Sequence, residues 1–451
     1  MKKMIESEAQ YGTAIVMEVK SGKIKAIANL GRQKDGRYWE DDNYALRVTE
    51  PGSTLKLATL LSVLDERSST PADLVEVGSA GQMIVGPRNV NDAERSPKPV
   101  LTVQECFAHS SNVGMSKLAY KAFGNNPKKF KEYMHNFYLD AKSPVDLADM
   151  PRPRLASFEK NAGGVMNMIT MSFGYAIQVS PLHMLTLYNA IANDGRMMKP
   201  YLVNRIVKDG IPYREFQPTV LAENISKPFT VKAAKQSMEM VITEGTGRPA
   251  FKDMPFAVAG KTGTAHVADE GIIYSDMVYQ ASFVGYFPAN DPVYSCIVVV
   301  RTKPHAFLHY GGQIAAPVFR EIATRLYAMY IENKNAPQYE AGKDSSNYFY
   351  AGNANDIKNV YKTLSVNYSD SVRQSNWGTA FANNYQPVIK EMNVSRSVMP
   401  DVRGMGLKDA VYLLENMGLK VKANGRGKVM VQSVQVGTAL TKGMTVYVEL
   451  G

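Results

Sequence analysis

Two strand-like runs at the start of this chain, and three more only after residue 255, constrain its fold more than any other feature. Gly12 to Val19 and Lys23 to Leu30 flank Lys20-Ser21-Gly22, which is hairpin punctuation. Phe256 to Ala259, Ala281 to Phe287 and Val293 to Thr302 follow much later, the last two separated by a Pro-Ala-Asn-Asp-Pro turn. If all five pair, the first hairpin is separated from its partners by more than two hundred residues, and a connection that long has to build helical layers against the sheet. The expected architecture is α+β: an antiparallel five-stranded sheet flanked by helices, with a helical subdomain.

Apolar residues recur at three and four over Thr54 to Glu66, Val103 to Phe123 and Pro181 to Asn193, which predicts helices. Pro317 to Tyr330 carries the same period, with Pro near the start, where its missing N–H costs little. Residues 142–165 read as loop. Residues 336–397, crowded with Asn, Ser, Tyr and Lys, read as a loosely structured connector. A compact unit then starts at 398–451: Met399-Pro400-Asp401-Val402, an amphipathic stretch from Leu407 to Met417, and strand-like Leu419 to Val421 and Thr445 to Leu450.

Composition removes several classes. An apolar fraction of 45% with 21% charged residues describes a folded chain, and Cys106 and Cys296 alone make no disulfide framework. No Cys/His cluster has zinc spacing; His305 and His309 sit four apart with no carboxylate between them. Neither a metal nor a cofactor is expected. The apolar runs fall far short of the ~18 residues that cross a bilayer, and residues 1–10 read as a short leader without a secretory signal. A charge of +10 favours anionic company, but the lysines are spread rather than interleaved with aromatics, so no nucleic acid is expected.

Three motifs carry chemistry. In Glu50-Pro51-Gly52-Ser53-Thr54-Leu55-Lys56, one helical turn sets Lys56 beside the Ser53 hydroxyl. A serine nucleophile needs such a base, and lysine serves only if burial or neighbouring cations make its neutral form accessible. Two residues at fixed spacing recur by chance about once or twice in such a chain, and Ser157-Phe158-Glu159-Lys160 matches equally well. Ser110-Ser111-Asn112 offers a hydroxyl and an amide that both donate and accept; Ser345-Ser346-Asn347 and Ser365-Val366-Asn367 also fit. Lys261-Thr262-Gly263-Thr264 continues a strand and suits a substrate carboxylate, Gly263 allowing close approach; a surface strand end is the competing reading. The order serine–lysine, serine–asparagine, lysine–threonine–glycine, each on a suitable element, is what lifts the set above chance.

On these residues, together with Gly12 to Val19, Ser172-Phe173-Gly174-Tyr175-Ala176-Ile177-Gln178-Val179-Ser180-Pro181, Ala259 to Ala265 and Tyr310 to Phe319, residues 11–335 resemble the transpeptidase domain of class B penicillin-binding proteins, most closely the cell-division type. Residues 398–451 resemble a PASTA module, although Val431-Gln432-Ser433-Val434 lacks the usual Ser-Pro. The resemblance implies a penicillin-binding/β-lactamase-like transpeptidase fold and a serine-type D-Ala-D-Ala transpeptidase that cross-links peptidoglycan stem peptides through an acyl-enzyme and is acylated by β-lactams. It implies Ser53 as nucleophile, Lys56 as base, Ser110 and Asn112 assisting, and Lys261, Thr262, Gly263 and Thr264 at the carboxylate, with the N–H groups of Ser53 and Thr264 as oxyanion hole. It further implies work at the extracytoplasmic face of the bacterial membrane, with a glycan polymerase and other cell-division proteins as partners of a full-length form. Full-length members carry an anchor and a pedestal, and the likeness starts near Tyr11, so a truncated form is expected. A serine β-lactamase or a D,D-carboxypeptidase would use the same motifs but release the acyl group to water; a non-catalytic β-lactam sensor, or a wall-binding protein acting through its C-terminal module, is the alternative of a different class.

Overall fold

The computed structural model describes all residues except Asp149, 160–162, 209–210, 269–270, 333–348 and 384–385. The described residues fall into two compact units, one up to Glu332 and one from Phe349.

In the first unit, strands β1 (Tyr11–Glu18), β2 (Ile24–Arg32), β3 (Tyr38–Trp39), β4 (Ala259–His266), β5 (Tyr279–Phe287) and β6 (Tyr294–Arg301) form one sheet in the order β4-β5-β6-β1-β2-β3. Every neighbouring pair is antiparallel. The strand expected over Phe256 to Ala259 in fact starts at Ala259 and runs through the lysine–threonine–glycine motif, and the five strands are joined by a sixth, β3, whose two residues gave no periodic signal. Ala14 lies opposite Val298, which closes the long connection in register.

Alternation along β6 sends Cys296, Val298 and Val300 to one face and Ile297 and Val299 to the other, and all of them are buried. Both faces are covered, which is why the strand reads as a continuous apolar run. One face packs on helices α1 (Lys56–Asp65), α2 (Val103–Ala108), α3 (Asn112–Phe123), α4 (Pro181–Ala192) and α5 (Pro228–Thr243). The other packs on α6 (Gly311–Leu326), through Ile314, Ala315, Phe319 and Ala323.

Three expectations are corrected in this unit. Val103 to Phe123 is two helices, because Ser110 takes a positive φ of 59° and Ser111 caps α3, its Oγ accepting the Gly114 N–H at 2.9 Å. The last helix begins at Gly311, so Pro317 lies inside it and removes the N–H that would reach the Gln313 carbonyl. Residues 1–10 are not a detached leader: Lys2–Glu6 is helical, Met4 is buried on the α6 face, and the Tyr38 hydroxyl donates to the Met4 and Ala9 carbonyls.

The connector expected over 336–397 is corrected more sharply. From Phe349 onward the chain is folded: helix Ala354–Thr363 is followed by strands Ser369–Asp370, Trp377–Asn383 and Gln386–Glu391. The first of these strands runs parallel to the third, and the second is antiparallel to the third. Helix Leu407–Asn416 and strands Lys420–Gly425, Val429–Gln432 and Thr445–Leu450 repeat that arrangement in the same order and directions. The same helix and three-stranded topology thus occurs twice, and in the first occurrence a fourth strand, Phe349–Asn353, pairs antiparallel with Trp377–Asn383. Hydrogen exchange should show the amides of Trp377 to Phe381 and Val388 to Glu391 protected; exchange at free-peptide rates would contradict the sheet.

Candidate active site

The turn that carries Ser53 is shaped by backbone contact. Residues Gly52–Leu55 make a turn of 3₁₀ helix that runs into α1. Side chains three apart eclipse in such a turn, so Ser53 and Lys56 stand directly over one another, and the Lys56 Nζ donates to the Ser53 Oγ at 3.1 Å. The Gly52 N–H donates to the Gly174 carbonyl at 3.0 Å. Gly174 has φ of 103°, and a Cβ there would come within 1.8 Å of the Gly52 carbonyl oxygen. From α4, the Tyr188 hydroxyl holds the Thr54 carbonyl at 2.8 Å. Gly174→Ala should push this turn out of place and reduce the rate of penicillin acylation by about a hundredfold or more; an unchanged rate would show that the Gly174 contact does not position Ser53.

Lys56 is wholly buried. Its Nζ also donates to the Ser110 carbonyl, to the Ser110 Oγ at 3.1 Å and to the Asn112 Oδ1 at 2.7 Å. None of these four oxygens belongs to a carboxylate, so burial dominates and lowers the amine to about 7, with the charge of Asp92 acting in the opposite direction. Lys261 of β4 is also wholly buried. Burial first, then the Lys56 charge, hold it well below the usual lysine range; its Nζ donates to the Thr262 carbonyl at 3.1 Å and lies 5.7 Å from the Phe107 ring centre. The surface-strand reading of Lys261 is thereby excluded.

A cavity of about 490 Å³ joins the three motifs, with Ser53, Ser110, Asn112, Thr262 and Thr264 all on its wall. Gly263 is at the close approach of β4 to the Ser53 turn: a Cβ there would meet the Ser282 Oγ at 2.3 Å and the Thr54 methyl at 2.9 Å. Lys56 and Lys261 sit behind that wall. The Thr264 Oγ1 accepts the Gly311 N–H at 3.1 Å and the Thr262 Oγ1 shares a hydrogen bond with the Thr246 Oγ1 at 2.5 Å.

Residues that carried no motif complete the site. Asp92, His109, Tyr175, Thr246 and Tyr310 line the cavity. Burial lowers the His109 imidazole. The Tyr175 hydroxyl accepts the His266 N–H at 3.0 Å, and the Glu50 carboxylate accepts the Ala176 N–H at 3.3 Å and the Tyr274 hydroxyl at 3.2 Å. Glu50, Tyr175 and Tyr310 lie in segments already singled out in the sequence, whereas Asp92, His109 and Thr246 gave no signal of their own. Of the competing matches, Ser157 accepts the Glu159 N–H at 3.2 Å in a loop, while Lys160 and 345–347 lie outside the described residues.

The description "Penicillin binding protein transpeptidase domain" matches residues 12–324, and "PASTA domain" matches residues 397–451. The chain belongs to the penicillin-binding protein transpeptidase family. Among curated relatives, the penicillin-binding protein PbpB of Mycolicibacterium smegmatis is 27% identical over 73% of this chain and 51% of its own length. The probable peptidoglycan D,D-transpeptidase PenA of Neisseria gonorrhoeae is 29% identical over 70% of this chain and 51% of its own. This chain therefore spans about half the length of these two relatives. Stage V sporulation protein D of Bacillus subtilis matches along 100% of the chain at 25% identity, covering 63% of that protein. Penicillin-binding protein 3 of Mycobacterium tuberculosis, solved with aztreonam, superposes with a TM-score of 0.63 at 25% identity, over 74% of this chain and 75% of that one.

The buried amine in this penicillin-binding domain fixes a pH dependence of stability. An amine at about 7 in the fold and 10.5 in the unfolded chain makes the unfolded chain bind more protons between those values, so stability rises with pH across that window. The unfolding free energy of wild type relative to Lys56→Met should rise by up to about 3 kcal/mol between roughly pH 7 and 9, read by denaturant melts. A flat difference would mean Lys56 titrates as an exposed lysine.

Proposed function

We propose that the first unit is a peptidoglycan D,D-transpeptidase. The observation that carries this reading is the Lys56 amine, lowered to about 7 and held 3.1 Å from the Ser53 hydroxyl on a cavity that also exposes Thr262 and Thr264. Ser53 attacks the carbonyl of the D-alanyl-D-alanine bond of a stem peptide, and its proton passes to Lys56. The N–H groups of Ser53 and Thr264 receive the oxyanion. Ser110 relays the proton to the departing D-alanine amine, which leaves as the free amino acid, while Asn112 orients the peptide. Lys261, Thr262 and Gly263 with Thr264 form the edge that accepts the terminal carboxylate, the hydroxyls by contact and Lys261 by charge from behind the wall. An amine of a neighbouring stem peptide then attacks the ester, releases Ser53 and forms the cross-link. A β-lactam enters at the first step and leaves Ser53 acylated.

The reaction is assigned to residues 11–335, and 398–451 to a PASTA module that contacts the wall or braces the enzyme. Its place is the extracytoplasmic face of the bacterial membrane, where the wall peptides lie, alongside a glycan polymerase and other cell-division proteins. Among the described residues no helix is long and apolar enough to cross a membrane.

Intact-mass measurement after exposure to a fluorescent penicillin should show one adduct that maps to Ser53, persists for long times and is absent from Ser53→Ala. Labelling of that variant would remove Ser53 as nucleophile, and rapid release of the adduct would make the enzyme a β-lactamase.

A further inference from the structure

Asp92 stands at the open end of the hairpin formed by Gln82–Val85 and Arg88–Asn91. Its N–H donates to the Gly81 carbonyl at 2.7 Å, so the hairpin itself clamps its backbone. Its carboxylate accepts three hydrogen bonds from the start of α3: the Ser111 hydroxyl at 2.9 Å, the Asn112 N–H, and the Val113 N–H at 2.9 Å. The neighbouring Asn91 carbonyl accepts the Asn112 Nδ2 at 2.8 Å. With Nδ2 engaged on the hairpin, the Asn112 amide has one orientation, which turns its Oδ1 to Lys56 at 2.7 Å.

We propose that Asp92 is a positioning residue of the acylation step: its carboxylate locks the Ser111–Asn112 corner under Lys56 and sets the charge that the Lys56 amine meets. A carboxylate at the N-terminus of a twelve-residue helix, with two backbone N–H groups and a hydroxyl on it, is satisfied without a cation. It therefore acts on Lys56 across the corner and does not trap it in an ion pair. Burial drives the amine down, and Asp92 is the largest influence in the other direction.

The remaining titratable groups around the amine can be named. From β4 comes Lys261, itself held well below the usual lysine range by burial and then by the Lys56 charge. From α2 comes the Cys106 thiol, pushed up to about 12 by burial and therefore uncharged, and His109 follows that helix on the cavity wall. Beyond the hairpin, Glu94 and Arg95 stand on the same wall with opposite charges.

This inference rests on reading Lys56 as the base, and the test separates the two. The acylation rate of the full chain by a fluorescent penicillin is measured from pH 5 to 10 for wild type, Asp92→Asn, Ser111→Ala and Lys56→Ala. Wild type should show an acid limb near 7. Asp92→Asn should move that limb down by about half a pH unit or more and lower the plateau by about tenfold or more. Ser111→Ala, which keeps the Asp92 charge and loses both the bond to Asp92 and the cap on the Gly114 N–H, should lower the plateau with the limb in place. A limb in Asp92→Asn at its wild-type position overturns the proposal, since a mere helix cap would give that result. If Lys56→Ala acylates as fast as wild type, the base reading fails instead. Should Asp92→Asn not fold by far-ultraviolet circular dichroism, Asp92→Glu keeps the charge and displaces the carboxylate: a lowered plateau with an unmoved limb supports the proposal, and a wild-type plateau overturns it.

Discussion

Burying an ammonium group among neutral oxygens is the constraint on which the catalytic unit depends. An isolated charge is costly in a protein interior, and the usual remedies are a paired carboxylate or loss of the proton. Lys56 has four oxygen partners and none is a carboxylate. The amine therefore lies close to losing its proton. That same property makes it a usable base for the hydroxyl 3.1 Å away. A direct ion pair would have satisfied the charge better and removed the reactivity.

The sheet determines which segments this amine faces across the cavity. β4 is an edge strand, and it packs closely on the Ser53 turn at Gly52 and Gly263. A Cβ at Gly311 would come within 2.3 Å of the Gly263 carbonyl, and one at Gly52 would come within 2.9 Å of the Ala265 Cβ. Residues 53 and 264 are thus held to one cavity by the register of antiparallel strands, with Ala14 opposite Val298 and Thr264 opposite Ala281. Close-packed backbone gives a geometry that side-chain rotamers do not loosen.

Much of this was legible in the sequence because its signals are local. Ser53 and Lys56 are one turn apart, the strands around Phe283 and Val298 are apolar on both faces, and the three motifs fall in a fixed order. What was not legible depends on long-range docking. Residues 103–123 have a continuous helical period, and the break at Ser110, with its positive φ and the Ser111 cap, goes together with a Ser110 carbonyl turned toward Lys56. Asp92 sits in a polar stretch with no period; its role follows from where a hairpin lands. The fold of 349–391 escaped because it rests on few buried residues, among them Ala351, Ala380 and Ile389, within a composition rich in Asn and Ser. Small sheets with short strands give pattern analysis little to detect.

The two buried lysines give the site a direction. Each is disfavoured as a cation by burial, and the charge of Lys56 further disfavours that of Lys261. Like charges oppose each other, so an ammonium on one disfavours an ammonium on the other. A carboxylate held at the Thr262 and Thr264 hydroxyls brings negative charge next to Lys261 and favours its ammonium. The added positive charge then makes the neutral form of Lys56 easier to reach. On the proposed mechanism, a substrate that ends in a carboxylate thus promotes the deprotonated base as it binds, whereas an amide of the same shape fills the cavity without that effect. Specificity for a free C-terminus would then reside in the activation of Ser53 as well as in binding.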